Sequence, residues 1–202
     1  MDPIAKDILT FWFGTTDMTA EIERREVWFK STPEFDAHLI DNYTGLHEQA
    51  AAGEFDHFVN DPKNCLTLIL MLDQIPRNIY RGAAKAFHTD PKARDVTKFA
   101  IDRGYHLNFS NRPKNFTFLP FEHSEILSDQ KLSVELYATL NDERSMSAAQ
   151  SHHDAVARFG RFPHRNKVMG RENTVEEEEY LKIPPTWGLT SAQAAERAKM
   201  LK

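Results

Sequence analysis

The segment LDQIPRNIYRG, which begins at Leu72, carries the first group of residues that could do chemistry. Its polar side chains are Asp73, Gln74, Arg77, Asn78 and Arg81. Guanidinium groups are planar, fork-shaped donors that suit carboxylates and phosphates, so the segment predicts an anion-binding element. In the alternative, Asp73 pairs with one of the arginines and fixes the end of an apolar helix that Pro76 terminates.

The segment NFTFLPFEHSE, which begins at Asn115, supplies a second candidate group. Pro120 predicts the start of a helix whose first turn holds Glu122, His123 and Glu125 near the positive end of the helix dipole. His123 and Glu125 are candidates for acid–base catalysis, since histidine titrates near neutral pH. In the alternative, the carboxylates only cap the helix and His123 is structural. The spacing is not that of an HExxH metal site.

The third group surrounds the segment RFGRFPHRN, where Gly160 interrupts a helix. His152 and His164 are the candidate catalytic residues of this group. The candidate anion-binding residues here are Arg158, Arg161, Arg165, Asn166 and Arg171. His152 shares a helix face with Val156 and Phe159, so a buried core histidine is the alternative. The cations could also face RNA, but the formal net charge of -5 argues against a nucleic-acid partner.

Helices must position these residues, because apolar residues recur at helical spacing through most of the chain and alternating runs are nearly absent. The sequence therefore predicts an all-α fold, an irregular array or bundle of helical hairpins with about nine helices. They are expected at residues 3–13, 21–30, 34–52, 62–75, 91–104, 121–140, 147–160, 174–183 and 190–201.

Proline and glycine mark the ends of several predicted helices. Prolines 33, 62 and 91 stand where first turns would begin, and glycines 53, 104 and 160 stand where helices would end. Two possible capping boxes, Thr174 with Glu177 and Thr190 with Gln193, mark the last two helices. The 202 residues fit one domain, 1–202, in which residues 184–202 form a possible appended helix after a Pro- and Gly-containing linker.

Composition indicates the class of protein and its cellular environment. Hydrophobic residues make up 41% and charged residues 27%, which is ordinary for a globular protein. Cys65 is the only cysteine and lies in an apolar run, so no intramolecular disulfide can form. We find no signal peptide and no apolar run long enough to span a bilayer, and we expect a cytoplasmic protein with no membrane association.

Four segments together resemble a known family. FWFG near the amino terminus, LDQIPRNIYRG, PFEHSE and RFGRFPHRN follow the order and pattern of bacterial domain of unknown function 924, over about Ile8 to Leu181. The resemblance implies an all-helical, tetratricopeptide-like superhelix, although no 34-residue repeat is visible in the sequence. It implies no activity. The family's pattern includes the candidate residues named above. This sequence departs from the pattern at Glu122, where an apolar residue is usual. The tail from Pro184 extends beyond the end of the pattern.

These observations favour one pocket in which arginines hold an anionic small molecule beside His123, His152 and His164. Catalysis would use a histidine as general acid or base in hydrolysis of a phosphorylated or carboxylated metabolite. A helical scaffold for a protein or peptide partner is the main alternative, and purely structural motifs are another. We expect no cofactor, since Walker, HExxH and CxxC motifs are absent. We expect no metal either, because nearby arginines disfavour a cation among the three imidazoles.

Overall fold

The fold is known from a computed structural model that describes residues 1–183, 185, 187 and 196–199. Residues 1–183 contain nine α-helices, residues 196–199 are also helical, and the described residues contain no strand, which confirms the all-α prediction. The helices are α1 (Pro3–Phe13), α2 (Pro33–Ala52), α3 (Pro62–Ile69), α4 (Ile75–Ile79), α5 (Asp90–Asp102), α6 (Asn111–Glu122), α7 (Leu127–Ala138), α8 (Glu143–Phe159) and α9 (Val175–Leu181). None of them is long and apolar enough to cross a membrane.

The predicted helix ends coincide with capping groups. Pro33 and Pro62 open α2 and α3 at their first position, and Asp61 accepts hydrogen bonds from the backbone N–H groups of Lys63 and Asn64. Gly160 ends α8 at a φ of 69°, in the left-handed region that glycine enters without strain. Thr174 and Glu177 form the expected capping box of α9. The box at Thr190 and Gln193 lies outside the described residues.

The prediction that Pro76 ends its helix is wrong. Helix α3 continues through one π-helical turn, Leu70–Gln74, directly into α4. Proline lacks an N–H and would crowd the carbonyl four residues earlier in a regular helix, and the wider turn relieves both problems. Side chains satisfy the released carbonyl groups: His47 Nδ1 donates to Met71 at 2.8 Å, and the Thr89 hydroxyl donates to Leu72 at 2.6 Å.

The prediction of one helix over residues 121–140 is also wrong. Pro120 lies inside α6 rather than at a helix start, Glu122 is the last residue of α6, and His123 is its carboxyl-terminal cap. Glu125 lies in the loop before α7. All side chains from residue 115 to 122 are buried, so this part of α6 has no polar face and lacks the amphipathic period that marks other helices.

The helix predicted over residues 21–30 is wrong as well, because only the short 3-10 turn Glu26–Trp28 is helical there. The apolar side chains Ile22, Val27 and Trp28 do not recur at three- or four-residue spacing. Arg25 instead donates from NH1 to the Phe11 and Trp12 carbonyls, at 2.6 and 2.8 Å, near the carboxyl end of α1. The segment therefore forms a loop along one wall of the cavity described below.

Helix α6 joins two parts of the hydrophobic core. On one side, the Phe116 ring packs against Trp12, Phe13 and Trp28 at centroid distances of 5.0 to 5.6 Å. On another, Phe118 packs edge-on against Tyr137 of α7 at 5.8 Å. Helix α7 packs in turn on α8. Because α6 is held from several sides, the polar residues at its carboxyl end are placed rigidly.

Candidate functional site

The candidate site is a cavity of about 410 Å³ beside the carboxyl-terminal half of α6. Its walls come from the loop before α2, the π-helical turn with α4, and helices α6, α7 and α8. Trp187, beyond α9, also lines it and stacks on His152 with ring centroids 3.8 Å apart. Elements distant in sequence therefore meet at one concave surface, as in most small-molecule sites.

Asp73 is the hub behind one wall of the cavity. It is fully buried, on the π-helical turn, and both of its carboxylate oxygens lie 3.0 Å from Nδ1 of His123. Gln74 donates from Nε2 to Oδ2 at 2.6 Å, and Arg77 NH1 lies 3.1 Å from Oδ1. Arg77 also pairs with Asp90 at 3.0 Å. A buried carboxylate with this many partners is a fixed, fully compensated charge.

The charges around Asp73 set the protonation state of His123. Burial alone would raise the pKa of Asp73, but Arg77, His123 and Gln74 together lower it below its usual value. Burial and the Arg77 guanidinium lower the pKa of His123. His123 is therefore neutral at pH 7 with its hydrogen on Nδ1, because an ionised carboxylate only accepts. Its other nitrogen, Nε2, is unprotonated, as a base or nucleophile requires.

Glu122 is the second carboxyl group of the site, and its environment is the opposite of that of Asp73. It is 4% exposed, and burial raises its pKa to about 8, with a smaller contribution from Asp73. A hydrogen bond with the Tyr137 side chain acts in the opposite direction and lowers the pKa of Glu122, but the effect of burial is larger. Glu122 is therefore mostly neutral at pH 7 and carries a proton that it can give away.

His152 on α8 lies against the same carboxyl group. Its Nδ1 is 2.9 Å from the Ala148 carbonyl oxygen, which can only accept, and 3.1 Å from Oε1 of Glu122. Burial and the neighbouring His123 lower the pKa of His152 well below its usual value. The His123 and His152 ring centroids are 6.1 Å apart. Two neutral imidazoles and one protonated carboxyl group thus share one corner of the cavity.

Basic side chains dominate the charge of the cavity wall. Within the described part of the chain, the wall carries five of them and one carboxyl group, that of Glu122. The five are Arg24, Lys30, Arg77, Arg81 and Arg144. Arg77 and Arg81 pair with carboxylates that lie outside the wall. Arg24 and Arg144 pair with the same carboxylate, Glu26, at 3.0 and 4.0 Å, so their charge is only partly compensated.

The structure divides the residues predicted from sequence into two sets. Six of them line the cavity, and Asp73 lies directly behind it. The six are Gln74, Arg77, Asn78, Arg81, His123 and His152. Arg81 pairs with Asp36, and its NH2 donates to Asn78 Oδ1 at 2.9 Å, so two of the six are held together in the cavity wall.

The second set forms a separate network around the chain that follows α8. Arg171 holds both carboxylate oxygens of Glu125, at 2.7 and 2.9 Å, and Arg161 holds both of Glu177, at 2.6 and 2.7 Å. Arg158 pairs with Glu176 at the surface. These contacts connect the loop before α7 and the start of α9 to the end of α8 and to the chain that follows it.

Three more members of the second set lie close to this network. Asn166 donates to Asn173 at 2.9 Å. Arg165 lies between the Phe87 and Phe162 rings and donates from NH2 to the His123 carbonyl at 3.0 Å, so it braces the cavity wall from behind. Burial lowers the pKa of His164 to about 3, and its Nδ1 has no hydrogen-bond partner in the described structure. None of the second set is among the described residues that line the cavity.

Sequence reasoning missed several cavity residues. Arg24, Lys30 and Arg144 lie outside the three polar segments, and Tyr137 gave no signal in a helix without visible motif. Glu122 did give one: a carboxyl group at the end of the apolar run FTFLPF is costly to bury unless it is neutral or paired. The described residues include no cluster of three His, Cys, Asp or Glu side chains arranged for a metal ion.

Comparisons with known proteins agree with this architecture. The model of a family described as bacterial protein of unknown function (DUF924) matches residues 8–185. A solved structure of a protein of unknown function, ATU0120 from Agrobacterium tumefaciens, is similar with a TM-score of 0.81 and 37% sequence identity. The alignment covers 89% of this chain and 97% of that one. A search of curated proteins found no match. The chain belongs to the DUF924 family of bacterial proteins.

Proposed function

We propose that the protein binds an anionic small molecule in this cavity. The observation that carries the proposal is the charge of the wall, where five basic side chains face one carboxyl group among the described residues. Because burial raises the pKa of that carboxyl group to about 8, it adds little negative charge at pH 7. Clefts lined by one sign of charge concentrate ligands of the opposite sign.

The volume of the cavity and the apolar part of its wall indicate which class of anion fits. The volume of about 410 Å³ lies in the range of about 300–1,000 Å³ usual for small-molecule sites. Trp28, Phe29 and Leu119 contribute apolar wall. The ligand therefore combines an anionic group with an apolar portion, such as an aryl or alkyl phosphate or carboxylate.

The alternative function, a tetratricopeptide-like scaffold that binds a protein or peptide, has less support. Such scaffolds bind partners along extended concave surfaces built by regular repeats. The concave feature described here is a cavity of small-molecule size whose polar residues point to its interior. We therefore propose the small molecule as the primary ligand.

Calorimetric titration with phenyl phosphate tests the proposal, since this probe carries both an anion and an apolar ring. Binding should raise the melting temperature as well: at about 100 times the dissociation constant the gain is about 2.7 kcal/mol, or roughly 5–10 °C for a chain of this length. Chloride at matched ionic strength corrects for general salt effects.

Two matched variants locate the binding site. Arg144→Gln removes a cavity cation whose side chain is 71% exposed, so the fold should tolerate it. It should weaken phenyl phosphate binding by about threefold to tenfold, as expected for one lost charge interaction of up to about 1.4 kcal/mol. Arg103→Gln removes the same charge from an exposed position outside the cavity and should leave affinity unchanged. Equal affinities in all three proteins, or no binding to the wild type, would reject the proposal.

A further inference from the structure

One corner of the cavity contains more than an anion site requires. Binding an anion needs cations, yet here a neutral histidine, a protonated carboxyl group and a second histidine lie together on the wall. Burying such groups costs stability, and groups of this kind gather where proton transfer occurs. This grouping of titratable side chains therefore indicates a role in proton transfer.

We propose that this corner hydrolyses a phosphate monoester, with His123 as the nucleophile and Glu122 as the proton donor. The inference rests on the proposed function, because it assumes that the bound anion is a phosphate ester. Two contacts carry it: Asp73 accepts a hydrogen bond from Nδ1 of His123 at 3.0 Å, and Nδ1 of His152 lies 3.1 Å from the Glu122 carboxyl group.

The orientation of His123 suits nucleophilic attack. Both oxygens of Asp73 bind Nδ1, which fixes the tautomer and directs the opposite edge of the ring, with Nε2, away from the carboxylate. His123 is part of the cavity wall, and the proposal places a phosphoryl group bound in the cavity against that edge. Arg77, which touches Asp73 and also lines the cavity, can stabilise the charge of the transferred group.

The reaction balances with groups that the chain supplies. Nε2 of His123 attacks phosphorus, the bond from phosphorus to the leaving oxygen breaks, and Glu122 gives its proton to that oxygen. Water then attacks the phosphohistidine, the ionised Glu122 takes a proton from this water, and the nitrogen–phosphorus bond breaks. Orthophosphate leaves, and His123 and Glu122 return to their starting states.

His152 is a positioning residue in this scheme. It contacts Glu122 rather than the reacting atoms: its Nδ1–H donates to the Ala148 carbonyl, and the same nitrogen lies 3.1 Å from Oε1 of Glu122. It keeps the carboxyl group in place while the proton is transferred. A His152→Asn variant should lower kcat less than His123→Asn does and leave the phosphohistidine detectable.

The test compares two substrates, phenyl phosphate and p-nitrophenyl phosphate, by the rate at which a single turnover releases the phenol, because water attack on the phosphohistidine is common to both. Phenolate is a much stronger base than p-nitrophenolate, so it depends more on a proton donor when it leaves. Glu122→Gln should therefore reduce the single-turnover rate of phenol release by about 100-fold or more, with a much smaller reduction for p-nitrophenol release and little change in affinity for phenyl phosphate. A merely structural role would lower both rates together.

Matched controls and a covalent readout complete the experiment. Glu135→Gln and His153→Asn make the same substitutions at positions outside the cavity and should keep wild-type rates. His123→Asn should abolish turnover and the phosphoryl adduct seen by intact mass spectrometry at neutral pH, and it should still bind phenyl phosphate in the calorimeter.

Binding by the wild type without turnover above the His123→Asn level would overturn this inference and leave the proposed function standing. Absence of both binding and turnover would overturn both. Circular dichroism and melting curves confirm that each variant is folded before its rate is compared. Equal losses for the two substrates in folded Glu122→Gln would exclude proton donation by Glu122.

Discussion

The protonated state of Glu122 predicts a specific pH dependence of stability. The folded protein raises the pKa of this carboxyl group from 4.5 to about 8. Between these values the folded state holds a proton that the unfolded state has lost, so stability falls as the pH rises through this window. Above about pH 8 the carboxyl group is ionised in both states, and the unfolded state is favoured because it solvates the carboxylate.

The size of the effect follows from the pKa difference. Since one unit of pKa corresponds to about 1.4 kcal/mol, Glu122 should cost the folded state about 4 kcal/mol more at about pH 9 than at about pH 5. This is a large share of the roughly 5–15 kcal/mol that stabilises a typical domain. In a chain of this length it corresponds to a melting-temperature difference of roughly 10 °C.

Glu122→Gln isolates this contribution, because glutamine has nearly the same shape and does not titrate. Urea unfolding of the wild type and the variant, repeated from about pH 5 to about pH 9, gives a difference curve from which other titrating groups cancel. The buried histidines, whose lowered pKa values oppose stability as the pH falls, are present in both proteins. As the pH rises, the free energy of unfolding of the variant should increase relative to that of the wild type. A difference curve that stays flat would refute the assignment of a neutral Glu122.

Three further variants test the surrounding structure. Arg161→Ala should destabilise the protein by about 1–3 kcal/mol in urea unfolding without changing anion affinity, because it leaves the buried Glu177 carboxylate without its bidentate partner. Weaker phenyl phosphate binding by that variant would place Arg161 in the site after all. Asp61→Ala should cost about 1 kcal/mol in the same assay by removing the cap of α3. Thr89→Val should cost about 1–3 kcal/mol, because it removes the donor that satisfies the Leu72 carbonyl beside the π-helical turn; an unchanged unfolding free energy would show that this carbonyl needs no partner.

The parts of the fold that could be predicted from sequence are those whose signals are local. The ends of α2 and α8 follow from proline, threonine and glycine at their caps, since these residues act on the adjacent backbone. Helix α6 could not be predicted because all of its sides are buried from residue 115 onward, and periodicity reports only a difference between faces. The π-helical turn depends on His47 and Thr89, whose positions only the folded chain determines.

The candidate site could be predicted in part for a similar reason. In the LDQIPRNIYRG segment, Gln74, Arg77 and Asn78 lie on one continuous run of helix and Arg81 lies in the turn directly after it, so these side chains reach one cavity together. The arginines near RFGRFPHRN have the same chemistry, but carboxylates 16 to 46 residues away occupy Arg161 and Arg171. An arginine that binds a ligand and one that binds a distant glutamate are alike in sequence, and only tertiary structure separates them.

Glu122 shows how far the function of the cavity depends on context rather than residue type. In sequence it is an acid that would oppose an anionic ligand and suit the first turn of a helix. In the folded chain it is the last residue of α6, enclosed by Tyr137 and His152, and burial keeps its proton in place. The same event removes a negative charge from a basic cavity and creates an acid beside His123. Anion binding and proton donation are therefore not independent features of this site, because one buried carboxyl group is a condition for both.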